Sequence, residues 1–290
     1  MANIEEVEIP ADEMTSFCNL LRERRIGDTT VQSDRSIRRY EQQHGTITAE
    51  QLRRNFSGII TECISIETEI FNEAMGEIRG SWMSILLEHE NRQTDFPSFS
   101  NLSEQAIAIM NRDEPTEHNL VDIVRILQQA NDGISFSMKQ AAKSRAGSAF
   151  QNYMEKFFNI LGFTYQRQMP LRPGEVLDLV FPSLERLHEN QEVGMIVECQ
   201  TTLKDRFRLS LGKTNDLNEQ STKFIATLTG ANIITQRDHD DLTTEKINEI
   251  RDRNWRLITL RQVADDLGLP TVISFEHFVN TIYPEISGSW

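Results

Sequence analysis

The sequence contains no long uninterrupted run of hydrophobic residues, although 38% of its 290 residues are hydrophobic. A membrane-spanning helix needs roughly 18 or more such residues in a row, so none is predicted. The first thirteen residues carry five acidic side chains, whereas a secretory signal peptide has a basic start and an apolar centre. We therefore expect a cytoplasmic protein that does not contact a membrane.

Cysteine and histidine are also scarce. The three cysteines (Cys18, Cys63 and Cys199) are far apart, so they predict neither a disulfide framework nor a four-ligand zinc site. The six histidines are dispersed and show no HExxH spacing, which argues against a histidine-ligated catalytic metal. Nothing in the sequence implies an organic cofactor.

The formal net charge of −14 argues against nucleic-acid binding, because lysines and arginines that neutralise phosphates supply most of the affinity. The charge is unevenly distributed, however. Residues 135–213 contain eleven basic and eight acidic side chains, a local charge of +3, which leaves −17 for the remainder. This distribution is compatible with a basic cleft in an acidic exterior. A helical scaffold protein remains an alternative.

Hydrophobic residues recur three and four apart from about residue 12 to residue 142, which predicts helices. We expect an all-α N-terminal region over residues 1–133. Between Arg22 and Arg54 this region has eight arginines against five acidic residues. These arginines are either a solvated helical surface or a set of contacts to DNA phosphates.

The pattern changes after the Asn-Asp-Gly sequence at residues 131–133, where we predict a break before a helix that spans residues 135–161. Short apolar segments predict strands at residues 163–165, 176–181, 195–201, 223–228 and 255–260. Further helices are predicted at residues 203–215, 244–253, 260–267 and 274–282. Residues 134–290 should therefore form an α/β domain with a central sheet flanked by helices.

Two of the predicted strands carry acidic residues, Asp178 and Glu198. Glu198 and Gln200 are two apart, so their side chains project to the same face, and that of Cys199 projects to the other. If the two strands are neighbours, Asp178, Glu198 and Gln200 converge at one end of the sheet. Such carboxylates can bind Mg²⁺, which can activate a water for attack on phosphorus. Acidic residues at strand ends are nevertheless common in α/β proteins.

The order of motifs adds to this interpretation. The motifs are RAG at residues 145–147, Asp178, and QTTLKDRFR at residues 200–208, and Gln200 is the 22nd residue after Asp178. This order resembles the type II restriction endonucleases of the EcoRII, SsoII and PspGI group, in the PD-(D/E)XK class, which read CCGG or CCNGG cores. Members carry Arg-x-Gly, an Asp on a strand, and Lys-Thr-Thr-x-[KR]-[DE]-Arg-Trp-Arg. The resemblance spans residues 144–213.

The resemblance implies a mixed central sheet, Mg²⁺ as cofactor and a homodimer that cleaves double-stranded DNA. Residues 134–290 would be the catalytic domain, and residues 1–133 would serve DNA contact or dimerisation. In the major groove, Arg206 would bind guanine, Asp205 would accept a hydrogen bond from cytosine, and Lys204 would contact a second guanine or a phosphate. Arg208 would contact a phosphate or form a structural ion pair.

The chain departs from the group at two positions. Gln200 stands where the group has its catalytic lysine, which gives a Glu-x-Gln arrangement similar to that of the BglII endonuclease. Lys213 stands thirteen residues later, where relatives have a second carboxylate. We hypothesise that the two functions have exchanged places, so that Glu198 binds the metal and Lys213 supplies the ammonium. Glu155, on the preceding helix, is either a further acidic candidate or an exposed side chain.

Two other functions fit the same residues. A non-specific or repair nuclease of the PD-(D/E)XK class would share Asp178 and Glu198 but would not select a CC/GG core. A DNA-binding protein without catalytic activity would keep the fold, and Gln200 in place of lysine favours it.

Overall fold

A computed structural model describes residues 7–111, 117–189, 194–203, 206–213, 221–228 and 242–288. Over these ranges the chain forms helices and one six-stranded sheet. None of the helices in the described ranges is long and apolar enough to cross a membrane.

The helices and strands follow one another along the chain in two stretches. The first is helical: α1 (Ala11–Arg25), α2 (Thr29–His44), α3 (Ala49–Leu87), α4 (Arg92–Asp95), α5 (Pro97–Met110) and α6 (Glu117–Ile160). The second is mixed: β1 (Gln166–Arg172), β2 (Glu175–Phe181), α7 (Leu184–Glu189), β3 (Met195–Gln200), α8 (Arg206–Lys213), β4 (Thr222–Thr227), α9 (Thr244–Asp252), β5 (Trp255–Thr259), α10 (Arg261–Leu267), β6 (Val272–Ser274), α11 (Phe275–His277), a π-helical segment (Phe278–Ile282) and α12 (Tyr283–Ser287).

The chain divides into two compact units. One contains residues 1–32 and 68–145, and the other contains residues 33–67 and 146–290. Helices α3 and α6 supply residues to both units. The sequence predicts a helical N-terminal region over residues 1–133 and a catalytic domain over residues 134–290, and this division stays a prediction.

The first unit is all-α in its described part, as predicted. Its core is aromatic: Phe17 and Phe99 lie 4.1 Å apart between ring centroids, and the buried Trp82 packs edge-on against both. The carboxylate of Glu13 accepts hydrogen bonds from the backbone nitrogens of Ser98 and Phe99. It thus satisfies free N–H groups in the first turn of α5.

The predicted break at residues 131–133 is wrong, because α6 is continuous from Glu117 to Ile160. Ala130 and Ile134 are fully buried on either side of the break, and their packing holds the helix together. Glycine in a helix costs about 1 kcal/mol relative to alanine. At Gly133 this cost is offset by the burial of Ala130 and Ile134, and the terminal methyl group of Met14 occupies the space beside the glycine.

The sheet of the second unit has the order β1-β2-β3-β4-β5-β6. The pairs β1–β2 and β2–β3 are antiparallel, and the pairs from β3 to β6 are parallel. The sheet is therefore mixed, as the resemblance predicts. Four of the five predicted strand segments coincide with strands. The segment at residues 163–165 does not, since β1 starts at Gln166 and the ring of Phe163 stacks on Tyr283.

Helices cover both faces of the sheet. On one face, strand residues such as Phe181 and Phe224 pack with Phe157 and Phe158 of α6. On the other face, strand residues pack with side chains of α8 and α9, among them Phe207. This confirms the predicted layers, and it places α6 and α8 on opposite sides of the strands that carry Asp178 and Glu198.

Candidate active site

The candidate site begins where the ladder between β2 and β3 ends. Leu179 and Val197 are paired, and by the same register Asp178 lies opposite Glu198. At this pair, backbone N–H groups donate to side-chain carboxylate oxygens and not to the backbone carbonyl oxygens of the neighbouring strand. The backbone nitrogen of Asp178 donates to Glu198 Oε1 (3.2 Å), and that of Cys199 donates to Asp178 Oδ2 (2.8 Å). The two carboxylates are thus held next to each other by backbone groups.

A serine of α8 joins the rest of this group. Ser210 is buried, and its hydroxyl donates to Glu198 Oε2 (3.1 Å) while it accepts from Nε2 of Gln200 (2.6 Å). The structure therefore brings Asp178, Glu198 and Gln200 together, as the spacing predicts. Sequence reasoning missed Ser210. Its signal is the helical spacing of three after the buried Phe207, which turns a hydroxyl towards the sheet.

The other oxygen of Asp178 faces β1 and α6. Gln168 Nε2 donates to Asp178 Oδ1 (3.2 Å) and to Gln151 Oε1 (3.0 Å), and Gln151 Nε2 donates to Glu155 Oε1 (3.1 Å). The far end of this chain is an ion pair between Glu155 and Arg167 (3.0 Å). Glu155 is buried, so the alternative of an exposed side chain is wrong.

The pKa of the Cys199 thiol shows that the site is negatively charged. Burial raises its pKa well above the ordinary value, and the negative charges of Asp178, Glu198 and Glu155 raise it further. The thiol therefore stays protonated at neutral pH. The same field that disfavours a thiolate would favour a cation.

The donor atoms fit a hard divalent cation. Each of the four carboxylate oxygens of Asp178 and Glu198 accepts one of the hydrogen bonds described above, and ionised carboxylates have about four lone-pair sites each. Mg²⁺ commonly uses one or two carboxylates and keeps several waters. Asp178 is partly exposed, so water can reach it. In the described parts of the chain, no larger cluster of acidic, histidine and cysteine side chains is arranged for a metal.

Of the residues after β3 that are predicted to bind DNA, and of the predicted catalytic Lys213, only the side chain of Arg208 belongs to the described part of the chain. Lys204 and Asp205 lie outside the described residues, as do the side chains of Arg206 and Lys213, which begin and end α8. Arg208 is described. Its Nε lies 3.2 Å from both carboxylate oxygens of Glu249 on α9, and its side chain is 59% exposed. Arg208 therefore forms an ion pair in this structure, and the roles of all five residues in DNA binding and catalysis stay predictions.

Several solved structures are similar in fold to this chain, among them three complexes with DNA. Two of them are structures of metal-depleted Ecl18kI in complex with uncleaved DNA, the second with modified DNA. Their TM-scores are 0.69 and 0.67 at 18% and 17% identity, and the matches cover 96% and 98% of this chain and 85% and 86% of those chains. A PspGI–substrate DNA complex matches with a TM-score of 0.57 at 12% identity, over 92% of this chain and 94% of that one. At these identities the likeness shows a restriction-endonuclease fold.

Sequence comparison adds the family. No curated protein matches the chain. A family model described as EcoRII C terminal matches residues 117–279, which is more than half of the chain and includes the whole of the candidate site. The chain therefore belongs to the EcoRII C-terminal family of type II restriction endonucleases.

Proposed function

We propose that the protein cleaves double-stranded DNA, with Mg²⁺, at a palindromic site that has a CCGG or CCNGG core. The observation that carries this proposal is the juxtaposition of two carboxylates at the end of the β2–β3 ladder, where Glu198 accepts from the backbone nitrogen of Asp178 and Asp178 accepts from that of Cys199. Family membership supplies the reaction class. The similar Ecl18kI and PspGI structures contain DNA, which supports duplex DNA as the substrate.

In this proposal Asp178 and Glu198 hold the metal. When bound there, Mg²⁺ would supply positive charge to activate a water and to stabilise the leaving oxygen of the phosphodiester. Gln200 would orient the water or the phosphate through its amide. The hydrogen bond to Ser210 supports this role, because it fixes the direction in which the amide points.

Lys213 would supply the ammonium that the group otherwise places on the strand. It ends α8, the helix whose Ser210 bonds to Glu198. The cation would polarise the attacking water or the phosphate, while the strand position keeps the carboxylate of Glu198. This is the exchange of functions that the sequence suggests.

Four residues after β3 would bind the DNA. Lys204, Asp205 and Arg206 would enter the major groove, where Arg can donate to O6 and N7 of guanine and Asp can accept from N4 of cytosine. Arg208 would contact a phosphate after leaving Glu249. This would give the CC/GG core, with or without an unread central base.

A palindromic site matches a two-fold symmetric enzyme, so we infer a homodimer. Residues 1–133 would contribute to DNA contact or to the dimer, and residues 134–290 would be the catalytic domain. A cytoplasmic location and the lack of an organic cofactor complete the proposal. The exposed arginines of α2, among them Arg35 and Arg38, are candidates for phosphate contacts.

Digestion of a plasmid of known sequence, with and without Mg²⁺, tests the proposal. Discrete fragments whose sequenced ends share a CC/GG core are expected only with the metal. A continuous smear would instead indicate a non-specific or repair nuclease. Asp178→Ala, run in parallel, controls for a contaminating nuclease because it should abolish the fragments.

A second candidate is a DNA-binding protein without catalytic activity. The feature that favours it is Gln200 in place of the group's lysine, with its amide bonded to Ser210. Specific binding to a duplex, without cleavage under any divalent metal, would support this candidate over the nuclease.

A further inference from the structure

Gln168 has an unusual backbone for a strand residue. Its φ is +49°, and among the described residues only one other non-glycine residue, Asn254 (+59°), lies in the positive region. L-amino acids rarely adopt this conformation. The ladder between β1 and β2 continues on both sides, with Arg167 opposite Leu179 and Met169 opposite Leu177. By this register the irregular residue lies opposite Asp178.

The packing of β2 is irregular at the same place. Leu179 and Phe181 pack in the cluster on the α6 face, and regular alternation would place Leu177 with them. Leu177 instead packs with Val180 in the cluster on the opposite face. Both strands therefore depart from regular geometry where Asp178 faces Gln168.

With this backbone conformation, the side-chain amide of Gln168 makes two hydrogen bonds. Its Nε2 donates to Asp178 Oδ1 (3.2 Å) and to Gln151 Oε1 (3.0 Å). An ionised carboxylate can only accept, so the amide must present its NH₂ group to Asp178. The amide of Gln151 is oriented in the same way, because its own NH₂ faces the carboxylate of Glu155.

The far end of this chain of hydrogen bonds is well anchored. Glu155 is buried on α6, and its Oε2 accepts from Nη1 of Arg167 (3.0 Å). The hydroxyl of Tyr165 donates to the backbone oxygen of Glu155 (3.0 Å). Gln151, one helical turn before Glu155, therefore provides a fixed support for the exposed amide of Gln168.

We propose that Gln168 is a positioning residue for the metal ligand Asp178, and that Gln151 and Glu155 hold Gln168 in place. This rests on the proposed function, in which Asp178 binds a divalent metal. The backbone nitrogen of Cys199 holds Oδ2 of Asp178, and Gln168 holds Oδ1, so the two donors together fix the plane of the carboxylate. Without the hydrogen bond from Gln168, the carboxylate of Asp178 can rotate out of the orientation in which it would bind the metal.

Two substitutions separate the side chain from the backbone. Gln168→Met keeps the length of the side chain and the strained φ but lacks the donor, whereas Gln168→Gly also relaxes the backbone. Loss of groups that orient metal ligands typically weakens metal binding by about 10- to 100-fold. We therefore expect both variants to need at least about tenfold more Mn²⁺ for half-maximal cleavage, with an almost unchanged rate at saturating Mn²⁺.

A second readout does not depend on cleavage. Ca²⁺ is titrated calorimetrically into the protein bound to a duplex that carries its site, and the Kd should rise by a similar factor in both variants. Asn254→Gly is the matched control, because it relaxes the positive φ of the other such non-glycine residue among those described and does not alter the contacts of Asp178. It should keep the Ca²⁺ affinity of the unmodified protein.

A double substitution tests whether Gln151 holds the side chain of Gln168 in place. If Gln151 acts only through Gln168, Gln151→Met weakens Ca²⁺ binding by itself, and Gln168→Met/Gln151→Met is no worse than Gln168→Met alone.

Three outcomes would overturn the proposal. The first is an unchanged Ca²⁺ affinity in Gln168→Met, and the second is a loss of DNA affinity without a change in metal affinity. The third is that the unmodified protein binds no metal and cleaves nothing, which would remove the proposed function together with this inference. In the first two outcomes the unmodified protein still binds metal and cleaves, so the proposed function survives.

Discussion

The two sides of the candidate site are built differently. On the side of β3 and α8, Glu198 is 1% exposed and accepts from a backbone nitrogen and from the buried Ser210. On the side of β1 and α6, the partly exposed Asp178 accepts from the exposed amide of Gln168. Glu198 is thus fixed by the sheet and the core, whereas Asp178 has one backbone donor, the nitrogen of Cys199, and one side-chain donor at a sheet edge, Gln168. Substitutions should therefore have graded effects, from the metal ligands outwards.

The largest effect is expected when either ligand loses its charge. Asp178→Asn or Glu198→Gln removes a metal-binding carboxylate, and the several kcal/mol that a metal contributes correspond to a rate loss of about 10³-fold or more. Steady-state cleavage of a plasmid measures this loss. Glu276→Gln is the control, because Glu276 is buried in the same unit but caps the backbone of Ser57. A Glu198→Gln enzyme with the normal rate would contradict the assignment.

Lys213→Ala should have the next largest effect. If Lys213 supplies the catalytic ammonium, the cleavage rate at saturating metal falls by about 10²-fold, as is typical for loss of a group that acts on the reacting atoms. The matched control is Lys139→Ala, which removes an exposed lysine of the other unit. Full activity of Lys213→Ala would refute the exchange of functions with Glu198.

Ser210→Ala, on the side of β3 and α8, can be compared with Gln168→Met, on the side of β1 and α6. It removes a hydroxyl that holds both Glu198 and Gln200, so it should weaken metal binding by about tenfold or more and also lower the rate at saturating metal. Gln168→Met should change the metal affinity alone. The control is Ser103→Ala, which removes a buried serine hydroxyl bonded to the backbone of Ser100.

Stability measurements complete that comparison. Both serine variants should lose about 1 kcal/mol in the free energy of unfolding, measured by denaturant titration. If the two lose activity equally, Ser210 has only a structural role.

The smallest effect is expected at the surface. Glu249→Gln releases Arg208 from its ion pair, so non-specific DNA affinity should rise a few-fold at low salt and the difference should vanish at high salt. Fluorescence anisotropy with a duplex measures it. Glu245→Gln changes the same charge on the same helix, away from Arg208. Equal effects of the two variants would show that only net charge matters.

Much of the fold follows from periodicity. The strands that carry Asp178 and Glu198 were predicted because each is a short apolar run bounded by polar residues. The break at residues 131–133 was wrong because tertiary packing around Gly133 outweighs the weak helix propensity of glycine. The three-residue β6 (Val272–Ser274) was missed because so short a strand has no pattern of its own and is formed by pairing with β5.

The site was predictable only in its centre. Glu198 and Gln200 could be grouped because the period of two within one strand needs no knowledge of the partner strands, and Asp178 joined them on the expectation that its strand is a neighbour, which the β2–β3 pairing bears out. Ser210 and Gln168 could not, because their contacts depend on how α8 and β1 are placed against those strands. The positive φ of Gln168, in particular, appears only in the three-dimensional structure.

The most direct test of the central claim is to locate the metal. A crystal of the protein with Mn²⁺ and a duplex that contains its site would be measured at the manganese absorption edge. An anomalous peak about 2 Å from carboxylate oxygens of both Asp178 and Glu198 is the predicted result. A peak that contacts neither carboxylate, in a crystal where DNA occupies the protein, would contradict the account.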